Sequence, residues 1–307
     1  MFDVITIGSA LVDIFIKSKD FELRKTRGGV MLCQMYDQKI AVDNFEVATG
    51  GGGGNTAVGF SRAGFTTAVI SETGRDALAR LVLDDLHKNC VQTSLIAQER
   101  RESTGGSAIL VGSDGGRTVM VHRGASSMLD PHDIAVRPMK NSSWIHLSSI
   151  AGRILTLKKI GTIVAENKLG CSWNPGTTEL ELLKSGELSP SELPCQILLL
   201  NTSEWRMIQP LQKELKKIVP EIVITDGRKG GRIFVKGQRK AIQYQATSKK
   251  AIEETGAGDA FGVGYVVGRL HDREPAAAAR VGARNAASVV QYFGAKAGLL
   301  HKDALLK

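Results

Sequence analysis

The glycines of this chain are bunched. Of 34 in 307 residues, an unbroken run fills positions 50 to 54 and a second group recurs between 256 and 268, without a Gly-X-Y period. That pattern excludes a collagen-like helix and points to loops whose backbone does the binding. Apolar residues make up 42% and charged residues 23%, so the chain has the balance of a globular protein with enough length for a large core.

Hydrophobic periodicity organises the rest. Val4 to Ile16 is apolar with few breaks and is expected to be one buried strand. Residues 17–48 alternate in short runs, among them Lys39–Val42 and Phe45–Val47, as in a small antiparallel sheet with one wet face. Asn55–Gly64 has helical spacing, Ala68–Ile70 reads as a strand, and Asp76 heads a helical run to Asn89. Gly106–Val111 and Arg117–His122 flank the turn Ser113-Asp114-Gly115-Gly116, which reads as a hairpin. From about residue 141 strands alternate with helices. The strands are Trp144–Leu147, Gln196–Leu200 and Glu221–Ile224; the helices are Leu155–Lys168, Ser203–Ile218, Ala257–Leu270 and Glu274–Phe293. This is the signature of βαβ units: an α/β fold with a mostly parallel sheet flanked by helices, carrying antiparallel pieces as an appendage on one domain, 1–307.

Composition removes several function classes. Cys33, Cys90, Cys171 and Cys195 form no CxxC pair, so neither a zinc site nor a disulfide framework is expected. Aromatics are only 5%, which argues against a nucleic-acid partner bound by base stacking. The start lacks a basic leader and carries Asp3 and Asp13, and no stretch is long and apolar enough to span a membrane, so a cytoplasmic location is expected. Net charge is +9, concentrated between 228 and 250: Arg228, Lys229, Arg232, Lys236, Arg239, Lys240, Lys249 and Lys250 stand there without an acid. Such a stretch is a solvated face or a lure for a polyphosphate ligand.

Three segments carry candidate chemistry. In Glu253-Glu254-Thr255-Gly256-Ala257-Gly258-Asp259 a small-residue turn opens a helix, so backbone N–H groups can converge on an anion beside the positive helix end. Asp259 beside that anion is not needed to hold phosphate, since like charges repel. It suits a base that takes a proton from an attacking hydroxyl, against the plainer reading of an acid complementing the helix dipole. Asn201-Thr202-Ser203-Glu204 leaves a buried strand at its carboxyl end, and Asn201 and Glu204 at i, i+3 can orient a hydrated Mg²⁺; helix capping by Thr202 or Ser203 explains the segment equally well. Thr225-Asp226-Gly227-Arg228-Lys229-Gly230-Gly231 permits close backbone approach to a nucleotide, or is a turn between two strands.

Taken in order, these segments and ATGGGGGNTAVGFSRAGF near the amino end resemble the ribokinase, or PfkB, family of sugar kinases over essentially the whole chain. ETGAGDAFGVGY is similar to that family's carboxyl-terminal signature, NTSE to its NxxE motif and TDGRKGG to its TxGxxG nucleotide loop. The resemblance implies a ribokinase-like sheet with a small antiparallel β lid, formed by residues 17–48 and 100–124. It implies transfer of the γ-phosphoryl of ATP to a hydroxymethyl group of a sugar or nucleoside, with Mg²⁺. In that frame Asp259 is the catalytic base and Gly256, Ala257 and Gly258 form the anion hole. Asn201 and Glu204 organise the metal; Thr225, Gly227, Gly230 and Asn285 lie along the nucleotide; and Asp13, Gly51, Gly52, Gly53 and Asn55 hold the acceptor.

Departures from the family pattern bear on the substrate. GGGGGN lacks the Lys of the GGKGAN stretch in ribose kinases, which leaves room for a bulkier acceptor such as a nucleoside. Arg123 resembles an arginine that some members direct at an acidic sugar, so a keto-deoxy sugar acid stays open, and Arg117 with Arg123 would be the lid cations for a phosphorylated sugar. Glu253 stands where many members have the Asp of a monovalent-cation site, leaving K⁺ activation open. Unpaired lid edges make a homodimer reasonable. The reading from another class is a non-catalytic ligand-sensing or nucleic-acid-binding protein on the same fold, using the 228–250 stretch.

Overall fold

The computed structural model describes every residue except Gly115, Leu193, Pro194, Ser248 and Lys250, so the middle of the expected 113–116 turn and one cation of the basic stretch lie outside the described residues. Fifteen strands are described: β1 (Phe2–Ile7), β2 (Leu11–Lys17), β3 (Glu22–Thr26), β4 (Gly29–Cys33), β5 (Asn44–Gly50), β6 (Thr67–Thr73), β7 (Ile96–Gln98), β8 (Gly106–Val111), β9 (Arg117–His122), β10 (Ser142–Leu147), β11 (Gly170–Trp173), β12 (Ile197–Asn201), β13 (Glu221–Thr225), β14 (Gly231–Val235) and β15 (Ile242–Tyr244).

The main sheet has the order β15-β14-β13-β12-β11-β10-β1-β6-β7, parallel from β13 to β7, with β14 and β15 added antiparallel at one edge. Its strands are apolar because helices cover both faces. On one face Ile5, Ile7, Ile70 and Ile145 pack with Leu157, Ile160 and Ile163 of the helix Ile154–Glu166. On the other, Val4, Leu199 and Val223 pack with Phe60 of the helix Gly52–Arg62 and with Phe261 and Val263 of the helix Ala257–Leu270. Small residues set the helix spacing as their pattern anticipates. A Cβ on Gly264 would stand 2.8 Å from Gly282 Cα, and one on Gly268 2.8 Å from Ala278 Cα, so Ala257–Leu270 lies directly on the helix Pro275–Val289.

The second sheet has the order β5-β2-β8-β9. Its outer pairs are antiparallel, but β2 and β8 run parallel, so this small sheet is not antiparallel throughout. It also takes a strand that the sequence reading assigned to the core. The apolar run 4–16 is two strands: β1 lies in the main sheet, and the chain breaks at 8–10 so that β2 joins the small one. The break sits where backbone meets backbone, since a Cβ on Gly8 would stand 2.9 Å from Gly53 N. Residues 39–42 form no strand, and the short pair β3–β4 is a separate ribbon.

Other boundaries follow local chemistry. Asp76 caps the helix Ala77–Lys88 by accepting from Ala79 N at 2.8 Å. The helix expected over 203–218 is divided into Thr202–Met207 and Gln212–Ile218, because Pro210 lies in the 3₁₀ turn Gln209–Leu211 between them. Within the main sheet β1, β10, β12 and β13 all run parallel, so Gly8, Ser148, Asn201 and Thr225 emerge at the same edge, the one where open α/β sheets bind ligands.

Candidate active site

Asp259 stands in the first turn of the helix Ala257–Leu270, whose cap Gly256 has φ 77°. A side chain at Gly256 would be strained there and would meet Ala295 Cβ at 2.3 Å, so the turn requires glycine. The N–H groups of a first helical turn have no intrahelical acceptor; Ala257 N is used on Glu254 O at 3.3 Å, and nothing lies within 4 Å of a Cβ built on Gly258. The turn therefore presents backbone donors across an open face.

The Asp259 carboxylate is half-buried and accepts from Asn55 Nδ2 at 2.8 Å. Asn55 comes from the glycine run, 204 positions away in sequence. Burial pushes the Asp259 carboxyl up to about 6; the Asn55 hydrogen bond opposes that shift and the neighbouring Asp13 adds to it. A Cβ on Gly52 would lie 3.8 Å from Asp259 Oδ1 and 2.8 Å from Ser148 Cβ, which places the end of β10 beside the carboxylate as well. Gly51 (φ 88°) and Gly53 are pressed against the 8–9 backbone, with added Cβ atoms 2.5 Å from Ser9 O and 2.6 Å from Gly8 O. In this part of the site the glycines serve mainly the packing of one loop under another.

Asp13 points from β2 toward the same region and is 6% exposed. Burial raises its carboxyl; a Ser107 hydrogen bond and the nearby Lys296 draw it down, while Glu253 pushes it up again. Two polar atoms here are left unpaired among the described residues. Asn55 Oδ1 and Ser148 Oγ are buried without a hydrogen-bond partner, an arrangement that a bound polyol would satisfy. Ser148 was missed because a lone serine after a strand has no signature; the signal was its place at the carboxyl end of Trp144–Leu147. Lys296 was missed likewise. It is 8% exposed and sits near Asp13, but its ammonium is held by Asp85 and Thr49.

On the other side of the anion turn lies a cleft of about 530 Å³. Thr225, Gly227, Gly230, Asn201 and Gly258 line it, with Lys249 and the ion-paired Arg117 (to Glu253) and Arg228 (to Glu254). Tyr244 and Phe261, stacked with centroids 5.2 Å apart, form one apolar wall; Ala283, Ala286, Ala287 and Val290 form another. Gly230 has φ 86°, and a Cβ there would fall 2.1 Å from Tyr244 O.

Four further candidate residues are placed as follows. Asn285 does not line the cleft. It is 1% exposed, donates to Ala260 O at 2.8 Å and accepts from Leu300 N at 3.0 Å, so its amide ties two helices and the carboxyl-terminal loop together while its alanine neighbours face the cavity. Arg123 is exposed just after β9; it does not line this cleft, which is not the acceptor side for which it is a candidate. Asn201 and Glu204 form a reciprocal capping box: Asn201 Oδ1 accepts from Glu204 N at 2.9 Å and Glu204 Oε2 accepts from Asn201 N at 2.7 Å. Asn201, rather than Thr202 or Ser203, is the cap. Among the described residues no cluster of three acidic, histidine or cysteine side chains forms a metal site, and no helix is long and apolar enough to cross a membrane.

The model of the pfkB family carbohydrate kinases matches residues 1–302. The chain belongs to that family. A ribokinase of Staphylococcus aureus is 27% identical over 307 residues, covering 96% of each chain, and an uncharacterized sugar kinase of Archaeoglobus fulgidus is 28% identical over 250 residues, 79% of this chain and 98% of the other. Among solved structures, Arabidopsis thaliana ribokinase complexed with ribose and ATP aligns with a TM-score of 0.77 at 21% identity, over 99% of this chain and 97% of that one. A Burkholderia thailandensis nucleoside kinase in complex with inosine aligns with a TM-score of 0.81 at 19% identity, over 98% and 96%. The family member described here is thus a carbohydrate or nucleoside kinase, and its mostly parallel sheet with a small lid-like sheet is the family's fold.

Proposed function

We propose that this kinase transfers the γ-phosphoryl group of ATP to a hydroxymethyl group of a small uncharged sugar or nucleoside, with Asp259 as base. The observation that carries the reading is the position of one carboxylate between two unlike spaces: an anion-binding turn and charged cleft on one side, and unpaired buried polar atoms on the other. Asp259 takes the proton of the acceptor hydroxyl, whose oxygen attacks the γ-phosphorus; the bond to the β-phosphate oxygen breaks and ADP leaves. The amides of the 256–258 turn face the charge spread over the transferring group. Thr225, Gly227 and Gly230 would line the phosphates and ribose, and the alanine wall with Tyr244 and Phe261 would take the base.

Glu204 and Asn201 offer carboxylate and amide oxygens, the donor chemistry that orients Mg²⁺-bound water, so they fit a hydrated ion better than direct ligation. Bound there with the nucleotide, the ion would neutralise phosphate charge.

On the acceptor side Asp13, Asn55 and Ser148 would hold hydroxyls above the glycine loop 51–53. Arg117 is engaged by Glu253, so it offers no spare cation to an acidic or phosphorylated acceptor. Relatives bound to ribose with ATP and to inosine agree with a neutral acceptor of this size. The test is ADP release from purified protein against sugars, sugar acids, sugar phosphates and nucleosides. Release only with a neutral sugar or nucleoside is expected; release only with an acidic acceptor, or none with any, defeats the reading.

The same reading includes a homodimer through the small sheet. Pairing register puts Phe45 and Val47 of β5, Ile14 and Ile16 of β2, Leu110 of β8 and Met120 of β9 on one face, and Phe45 (61%) and Met120 (54%) are largely exposed. A second copy of this face would cover them. A monomer in sedimentation at micromolar concentration would remove this part.

A further inference from the structure

Arg117 opens β9 on the inner face of the small sheet, in register with Val111 of β8 and Lys17 of β2. Its Nη1 reaches Glu253 Oε1, 136 positions along the chain and three residues before the anion turn. The Glu253 side chain is only 4% exposed, whereas the Arg117 side chain is 37% exposed. The same Oε1 accepts from Thr255 N at 2.7 Å and from Thr255 Oγ1, while Oε2 is buried with no partner. Glu253 thus holds the strand of chain that delivers Gly256, and the backbone beneath it is anchored by Ile252 N on Val290 O at 2.7 Å.

A buried carboxylate needs one compensating positive charge, and leaving it alone is costly. Glu253 stands where many family members have the Asp of a monovalent-cation site, which leaves K⁺ activation open. Here the charge is already present as a guanidinium that the small sheet brings to Glu253 Oε1. A monovalent cation is therefore not required to balance the charge of Glu253. We infer that Arg117 is a positioning residue for phosphoryl transfer: from the lid it supplies the charge on Glu253 that fixes the anion turn, and it makes the enzyme independent of monovalent cations. The inference rests on the kinase reading above and deepens it. It also ties lid position to the turn, since Arg117 can hold Glu253 only while β9 lies over the cleft it helps to line. A guanidinium suits the task because its planar fork keeps its charge and geometry when partly desolvated.

The experiment compares wild type, Arg117→Gln, Arg117→Lys and Glu253→Gln as full chains. Two readouts are taken: steady-state rates with K⁺ replaced by tetramethylammonium, and amide hydrogen exchange over 253–258 without substrate. Wild-type rates should not change with the cation. Arg117→Gln should lose about tenfold or more in kcat with little change in acceptor KM, recover part of the loss in K⁺, and exchange faster over 253–258. Arg117→Lys should keep much of the exchange protection. Wild type activated several-fold by K⁺, or Arg117→Gln matching wild type in both readouts, overturns the inference. If no acceptor supports turnover, the function proposed above fails, while equal exchange in wild type and Arg117→Gln would separately remove the positioning role.

Discussion

The two sides of Asp259 are built from different materials. The proposed nucleotide side is shaped by backbone: Gly230, Gly256 and Gly258 set loops at strand and helix ends, and its walls are small or aromatic apolar groups. The proposed acceptor side is shaped by side chains from distant segments, Asp13, Asn55 and Ser148, two of which keep a buried atom with no partner among the described residues. A backbone-built site recognises what every substrate shares, a polyphosphate. A side-chain-built site can change its acceptor by single substitutions, because each unpaired hydrogen-bonding atom penalises a ligand that cannot meet it.

The widest expected separation comes from Asp259→Asn. Turnover should fall by about a thousandfold or more while ADP affinity measured by calorimetry stays near wild type. Substantial turnover in that variant would break the division at its centre. Next is a pair of glycines on the nucleotide side. Gly230→Ala should cost about 2–4 kcal/mol in denaturant unfolding, because its φ is 86° and the added methyl meets Tyr244 O. Gly227→Ala, with φ 52° and open space, should cost only about 1 kcal/mol. Equal costs would show that the loop is not held as described.

The pH profile reports on the boundary itself. With the Asp259 carboxyl pushed up to about 6, kcat/KM for the acceptor should be level above that value and fall about tenfold per unit below it, the base being lost on protonation. Stability has the opposite sign. A carboxyl whose pKa is raised on folding favours the folded state as pH drops from about 6 toward the ordinary aspartate value of 3.8, and Asp259→Asn should abolish that trend in melting temperature. The smallest effect is the sharpest on the acceptor side. Ser148→Ala should raise acceptor KM by roughly threefold to tenfold and leave ATP KM unchanged. An effect on ATP instead would merge the two sides.

The legible parts were those that local chemistry dictates. Ala257–Leu270, Gly106–Val111 and Arg117–His122 coincide with their sequence-derived bounds, because a helix cap, a 3.6-residue period and a strand alternation each act over a few residues. The apolar run 4–16 misled for the same reason. Its pattern is that of one strand, and only the contact between Gly8 and the glycine run divides it between two sheets. Asn285 looked like a ligand-facing amide in a motif, but packing against Ala260 and Leu300 occupies both of its polar groups.

By itself, the order of residues determined the α/β class, the glycine turns, and the placement of a carboxylate at the start of a helix, since these depend on backbone freedom and short-range periodicity. Tertiary structure alone decided that Asn55 meets Asp259, that Ser148 closes the acceptor side and that Arg117 reaches Glu253. Those pairs lie many residues apart, and no local rule encodes which distant side chains a packed sheet and its helices will bring face to face.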